Sequence, residues 1–126
     1  MNQKLRIDRL NSLLREVISD VISREVRNPH VAKLMTVTRV EVSKDLSYGK
    51  VYVSVMGTEE EKTATLAALN SAAGFIAVHS SREIVIRHFP VLSFRLDDTV
   101  DKQMRIDSLL SKIHAEEQRR AVGEEE

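Results

Sequence analysis

Apolar and polar residues recur along this chain with two different periods, which divide it into helices and strands. In the first segment, apolar residues occur at every third or fourth position, the spacing of a helix with one buried face. These residues are Leu10, Leu13, Leu14, Val17, Ile18, Val21 and Ile22. Proline disfavours a helical conformation in the residue before it, so this helix is predicted to end near Asn28-Pro29.

The next two stretches alternate with a period of two and predict a β-hairpin. In "MTVTRVEVS" the alternation changes phase beside Arg39, and a β-bulge would reconcile the two halves. Alternation resumes in "YGKVYVSVM", and the polar stretch "SKDLS" between the two strands predicts a turn.

A second helix follows, with a glycine in its apolar stripe. Leu66, Leu69, Ala73 and Ile76 keep helical spacing, and the glutamates of "GTEEEK" suit the positive end of the helix dipole. Gly74 lies within this stripe, although glycine inside a helix costs about 1 kcal/mol relative to alanine. Two explanations are open: the helix bends at Gly74 so that a nucleic-acid backbone can come close, or the glycine allows close helix packing.

The remaining elements complete an α+β fold. The stretches "REIVIRHFP" and "VLSFRL" are predicted to form one extended element interrupted at Pro90. A terminal helix is predicted after Asp98 or Thr99 as N-cap, with a weaker stripe of Met104, Leu109, Leu110 and Ile113. The connection between the second and third strands is long enough for a parallel crossover, so helices should cover one face of a three-stranded mixed sheet.

Composition and charge indicate one small domain with a tail of different character. Residues 1–115 are predicted to form a single domain, and residues 116–126, "EEQRRAVGEEE", an acidic and disordered tail. The first 115 residues contain 17 basic and 14 acidic residues, a net charge of +3, which is compatible with RNA binding but does not by itself indicate it. The chain has no cysteine, signal peptide or spanning segment, which favours a soluble cytoplasmic protein.

Groups that could perform catalysis do not converge in the sequence. The four histidines, His30, His79, His88 and His114, are scattered at spacings that do not suit a metal site. The adjacent pair Asp97-Asp98 is better explained by helix capping, and neither a phosphate-binding loop nor a dinucleotide-binding glycine motif is present. We therefore expect no enzymatic activity, no cofactor and no metal.

Basic residues are the candidate binding groups. They lie at the end of the first helix, around the hairpin turn and near the last strand: Arg24, Arg27, Lys44, Lys50, Arg82, Arg87, His88 and Arg95. Such residues neutralise phosphates in RNA complexes, but an ordinary solvated helix or a sheet edge protected by charge would look the same. With no tryptophan, and with most of the five aromatic residues at core positions, recognition is expected to depend on shape and backbone contacts.

Several stretches, in their order and spacing, resemble the ribosome-binding factor A family, small bacterial ribosome-maturation proteins with a type II K-homology fold. These stretches are "VTRVEVSKDLSYGKVYVSVMG", "LNSAAGFI", "VIRHFPVLSFRLDDT" and the Arg-Asn-Pro corner after the first helix, and the similarity spans roughly residues 4–113. K-homology modules hold the nucleic-acid backbone with a Gly-x-x-Gly loop. The resembled family has an Ala-x-Gly kink instead, and this implies that Ala72, Ala73 and Gly74 contact RNA.

The resemblance also implies a function. It implies a non-enzymatic, monomeric assembly factor that binds the immature small ribosomal subunit, assists late processing of its ribosomal RNA, particularly in the cold, and is released with the help of a GTPase. The chain departs from the family pattern at Ala77, where a basic residue is expected, and at His79-Ser80-Ser81, where a glycine is usual. The alternative is a protein-interaction module that binds a peptide in an apolar groove.

Overall fold

The computed structural model describes residues 3–31, 35–97 and 110–118. Its elements follow the chain as α1 (Gln3–Glu25), β1 (Met35–Val42), β2 (Tyr48–Val55), α2 (Glu59–Ser71), α3 (Ala73–Ser81) and β3 (Val91–Leu96). Residues 110–118 are also helical, and all of them are exposed, including Leu110 and Ile113 of the predicted terminal stripe. The other residues predicted for that helix, Asp98, Thr99, Met104 and Leu109, lie outside the described part of the chain.

The three strands form a mixed sheet in the order β1-β2-β3, as predicted. β1 and β2 are antiparallel, whereas β2 and β3 are parallel. The predicted bulge is confirmed, because Val37 pairs with Val53 while Arg39 pairs with Tyr52, which leaves Thr38 as the extra residue on β1. This extra residue lets valines on both sides of the bulge face the same core.

The helices cover one face of the sheet, and the core lies between the two layers. β1 contributes the buried Val37 and Val40, and the fully buried core members come from the other strands and from α1 to α3: Leu14, Ile18 and Val21 of α1, Val51 and Val53 of β2, Leu69 of α2, Ile76 of α3 and Phe94 of β3. Leu13, which the helical stripe included, is instead half exposed at the margin of the buried face. Burial of this apolar surface is the main stabilising contribution to the fold.

The prediction of an extended element before Pro90 is wrong. Residues 82–90 follow an irregular path, and only Val91–Leu96 forms a strand. The reason lies in the length of β2, whose first residue, Tyr48, already pairs with Val91. Residues before Pro90 therefore extend past the end of the neighbouring strand, and the buried side chains of Ile84 and Pro90 anchor them to the core instead.

The described helices differ from membrane-spanning segments in length or in apolar character. α1 is the longest at 23 residues, but charged residues occur throughout it. None of the described helices combines the length and apolar character needed to cross a bilayer.

Candidate nucleic-acid interface

The helical segment that contains Gly74 is broken at Ala72. Ala72 has φ −93° and ψ 5°, outside the range of a regular helix, and it separates α2 from α3. Its amide donates to the carbonyl oxygens of both Ala68 (3.0 Å) and Leu69 (3.1 Å), and its own carbonyl accepts from Ile76 (2.9 Å) to start α3. The predicted bend therefore exists, but it lies at Ala72, two residues before the predicted position at Gly74.

Gly74 lies in the first turn of α3 and is exposed. A Cβ atom at this position would have no heavy atom within 4 Å, so close helix packing does not explain the glycine. The backbone conformation does not require glycine either, since Gly57 is the glycine with a positive φ among the described residues. The helix backbone at Gly74 is therefore exposed and has no side chain over it. Neither packing nor backbone conformation among the described residues requires a glycine there.

An apolar groove adjoins Gly74 and runs between α3 and β3. It has a volume of about 280 Å³ and is lined by Ala73, Gly74, Ala77, Val78, Ser81, Phe89, Pro90, Val91 and Leu92. Ala77 keeps one wall of the groove small and uncharged. A flat apolar group of about the size of a nucleobase fits such a groove.

Asn70 holds the kink against the free edge of β3. Its side-chain amide donates to the carbonyl of Phe94 (3.1 Å), and its carbonyl oxygen accepts from the Phe94 amide (2.8 Å). The Val91 amide donates to Ser47 in the hairpin turn, and the Asp97 amide donates to Val53 of β2. Backbone groups alternate in direction along a strand, so those of Leu92 and Phe94 point to the free edge. Asn70 satisfies Phe94, and the backbone of Leu92 is directed towards the groove.

Sequence reasoning missed the role of Asn70. The available signal was its position, because asparagine is a weak helix former and tends to bond backbone groups nearby. Here the bonded backbone belongs to a strand 24 residues later in the chain. No periodic pattern in the sequence predicts a contact between residues so far apart along the chain.

The predicted basic residues do not form one continuous rim. Arg82 caps the C-terminal end of α3, and Arg87 and His88 precede β3 next to the groove residues Phe89 and Pro90; all three basic side chains are exposed. The other cations lie elsewhere.

Arg24 and Arg27 lie at the end of α1. The Arg24 guanidinium forms an ion pair of 2.7 Å with Glu83, so much of its charge is already compensated. Arg27 is exposed. Lys44 is in the hairpin turn, and Lys50 and Arg95 project from the face of the sheet opposite the helices.

The kink residues themselves differ in exposure. Ala72 and Ala73 are half buried and pack against the core, whereas Gly74 is open to solvent. Small side chains at these positions let the kink lie close to the core while its outer surface stays free of side-chain bulk.

Two aromatic residues are more exposed than the sequence indicated. Phe75 directly follows Gly74, is 45% exposed, and its ring lies 4.2 Å from that of His79. Tyr48, at the start of β2, is 65% exposed. The helical period could have predicted the exposure of Phe75, because this residue is next to Ile76 in sequence but lies off the buried stripe.

Groups for metal or acid–base chemistry are not gathered here. Among residues 3–31, 35–97 and 110–118, no three His, Asp or Glu side chains come close enough to hold a metal ion. What the site offers is exposed backbone, an apolar groove and cations, which are means of binding.

Comparison of the sequence with known proteins gives consistent matches. The family model for ribosome-binding factor A matches residues 6–110. A ribosome-binding factor A of Protochlamydia amoebophila is 61% identical over 115 residues, which cover 91% of this chain and 88% of the relative. That of Chlamydia pneumoniae is 46% identical over 118 residues, covering 93% and 98% of the two chains.

Comparison of the fold agrees. The crystal structure of ribosome-binding factor A from Thermus thermophilus superposes with a TM-score of 0.63 at 29% identity, covering 71% of this chain and 94% of the other. A homology model of the Thermus thermophilus protein, fitted into a cryo-electron-microscopy map of its complex with 30S, has a TM-score of 0.60 at 28% identity. The match covers 72% of this chain and 94% of that one.

Proposed function

The chain belongs to the ribosome-binding factor A family, and from this membership we propose that it binds the immature small ribosomal subunit and assists late maturation of its ribosomal RNA. The complex of the Thermus thermophilus relative with 30S supports this proposal. The proposed role includes growth in the cold, takes place in the cytoplasm and requires no catalysis or cofactor. The protein acts as a monomer, and a ribosome-associated GTPase promotes its release.

The observation that carries the proposal is the bare backbone at Gly74. A glycine that neither packing nor backbone conformation requires, exposed at the start of a helix, leaves room for a ribose-phosphate strand to touch the main chain. Ala72 provides the bend and has no side chain that could cap α3, so no side chain covers this end of the helix.

The groove and the neighbouring cations extend this contact. A nucleobase enters the apolar groove beside Ala77 and meets the directed backbone groups of Leu92 at its inner edge. Arg82, Arg87 and His88 neutralise phosphates of the same strand. Because these contacts need an unpaired and accessible strand, the protein stabilises one arrangement of the RNA over others, which is how a ligand shifts an equilibrium.

The test separates binding from folding by two changes at one residue. Gly74→Ala adds a methyl group that meets nothing in the fold, so it should raise the free energy of unfolding by about 0.5–1 kcal/mol. Gly74→Leu adds a larger side chain at this exposed position, where it would obstruct an RNA backbone. We expect Gly74→Ala to weaken association with small subunits moderately and Gly74→Leu to weaken it at least about tenfold, which is about 1.4 kcal/mol.

Sedimentation of the protein with small subunits on gradients at two salt concentrations measures this association. Wild-type protein should co-sediment at low salt and dissociate at high salt, because binding to phosphates releases counterions. Ser12→Leu is the matched control, since Ser12 is exposed on α1 beside β1, the opposite sheet edge from β3. A folded Gly74→Leu protein with full affinity would contradict the role of the kink. Association with a protein alone, insensitive to salt, would favour the peptide-binding alternative.

A further inference from the structure

The sheet has a second face, turned away from the helices, on which polar and aromatic side chains are gathered. Alternation along the three strands places Arg39, Tyr48, Lys50, Tyr52, Ser93 and Arg95 on it, and we call this surface the open sheet face. Both tyrosines of the chain belong to it. The sequence assigned Lys50 and Arg95 to one group of basic residues with Arg82, Arg87 and His88, but they belong to this separate surface.

The strand register brings the main groups of the open sheet face into one row. Arg39 pairs with Tyr52 on one side, and Arg95 pairs with Tyr52 on the other. Lys50 lies in the adjacent row, between Glu41 of β1 and Ser93 of β3. Neighbouring strands are about 4.8 Å apart and residues i and i+2 about 7 Å apart, so Arg39, Lys50 and Arg95 all occupy strand positions next to Tyr52.

Arg39 and Tyr52 form a preassembled flat surface. The Arg39 guanidinium carbon lies 4.1 Å from the centroid of the Tyr52 ring, and Glu41 binds the same guanidinium at 3.1 Å. The side chain of Arg39 is therefore held in place before any ligand arrives. When a planar group stacks here, the protein therefore loses little additional side-chain entropy.

The acidic residues of this face are engaged, whereas two cations are available. Glu41 holds Arg39, and Asp97 accepts a hydrogen bond of 2.6 Å from the Thr38 hydroxyl. Lys50 and Arg95 have no hydrogen bond or ion pair in the described part of the chain, and both are exposed. Stacking planes next to exposed cations that form no ion pair among the described residues match the chemistry of an unpaired nucleic-acid strand.

We propose that the open sheet face is a second RNA-binding surface, which takes an unpaired RNA strand by stacking bases on Tyr52 and Tyr48 and pairing phosphates with Lys50 and Arg95. The kink lies in the helical layer, on the other side of the sheet. The sheet itself lies between the kink and this face, so the protein can hold two RNA segments at once. The bridging role rests on the proposed function, but binding at the open sheet face does not.

Because both tyrosines of the chain lie on the open sheet face, a label on tyrosine reports binding at this surface alone. We would replace both by 3-fluorotyrosine, giving one ¹⁹F signal each for Tyr48 and Tyr52, and titrate the full chain with a ten-nucleotide oligouridylate. Both signals should shift on binding, in wild-type protein and equally in Gly74→Leu. Replacing Lys50 and Arg95 together by alanine should weaken the titration at least about tenfold, since both phosphate contacts are lost.

A charge-matched control removes two cations beside the apolar groove instead. The double variant Arg82→Ala and Arg87→Ala should leave the titration of the tyrosine signals unchanged within about twofold. If the oligouridylate binds, as shown by anisotropy of a labelled copy, while the tyrosine signals stay in place, the open sheet face is not an RNA site and the kink proposal stands. A decaglutamate peptide that shifts both signals with equal affinity would also overturn the inference, in favour of an acidic protein partner.

Discussion

At the scale of single residues, Asn70 connects the kink to the sheet. Its two hydrogen bonds imitate a neighbouring strand on the edge of β3, where the backbone of Phe94 would otherwise have no partner in the described fold. Buried or half-buried backbone groups are nearly always paired, so a side chain that supplies both bonds contributes to stability and to geometry. The placement of Gly74 beside the groove depends on it.

Asn70→Ala should lower the free energy of unfolding by about 1–3 kcal/mol, because the Phe94 amide and carbonyl each lose a partner. Urea denaturation followed by circular dichroism measures the change. Ser71→Ala, at the next and exposed position, should change stability by less than about 0.5 kcal/mol. Equal effects of the two variants would contradict the proposed role of Asn70.

At the scale of elements, the hairpin turn is stabilised by one carboxylate. The Asp45 carboxylate accepts hydrogen bonds from the Ser43 hydroxyl (2.7 Å) and the Ser47 amide (3.1 Å). These bonds, that of Ser43 first, hold the pKa of Asp45 below its ordinary value. The turn thereby fixes the register of β1 on β2, and with it the row of Arg39 and Tyr52.

A lowered pKa in the folded state gives a defined dependence of stability on pH. The contribution of Asp45 is fully present above the unfolded pKa of about 3.9 and is lost as pH falls through the folded value. Asp45→Asn should therefore unfold at a lower urea concentration than wild type at pH 7, and this difference should shrink below about pH 4. A difference that stays constant from neutral to acidic pH would show that the carboxylate charge does not matter.

The kink also belongs to the scale of elements, and here sequence reasoning was right in kind but not in position. Glycine was the visible anomaly, so the bend was assigned to Gly74. The chain bends at Ala72 because the amide of that residue is shared between two carbonyls of α2, a feature of hydrogen-bond geometry and not of residue type. The start of α2 is a similar case. The sequence predicted it from three glutamates, and Glu61 is the one that forms the capping box with Thr58.

At the scale of the whole molecule, a net charge of zero conceals an uneven distribution. The exposed cations Arg82 and Arg87 lie beside the apolar groove, Lys50 and Arg95 lie on the open sheet face, and five acidic residues lie in residues 116–126. Such separation of charge permits phosphate binding without making the protein basic overall. The dependence of affinity on salt then reports how many cations take part.

Removing Arg82 or Arg87 by alanine substitution should lower the slope of log affinity for small subunits against log salt by about one per cation. Arg24→Ala should lower it by less, because Glu83 already compensates this arginine at 2.7 Å. Affinities measured at four or more salt concentrations give the slopes. Equal slopes for wild type and the Arg82 and Arg87 variants would remove these residues from the interface.

The sequence by itself determined the elements that local periodicity encodes. The stripe of α1, the bulge beside Arg39, the hairpin and the mixed sheet follow from the spacing of apolar residues, because each side chain must reach the same buried layer. The order and spacing of four stretches, one of them around Gly74, also indicated the family.

Only the tertiary structure decided which distant residues meet. The end of β2 limits β3 to Val91–Leu96, Asn70 reaches Phe94 across 24 residues, and the cations divide between two faces. These outcomes depend on strand length, register and the direction of side chains in the assembled layers. Such quantities are properties of two elements together, and therefore no pattern within one segment of the sequence can contain them.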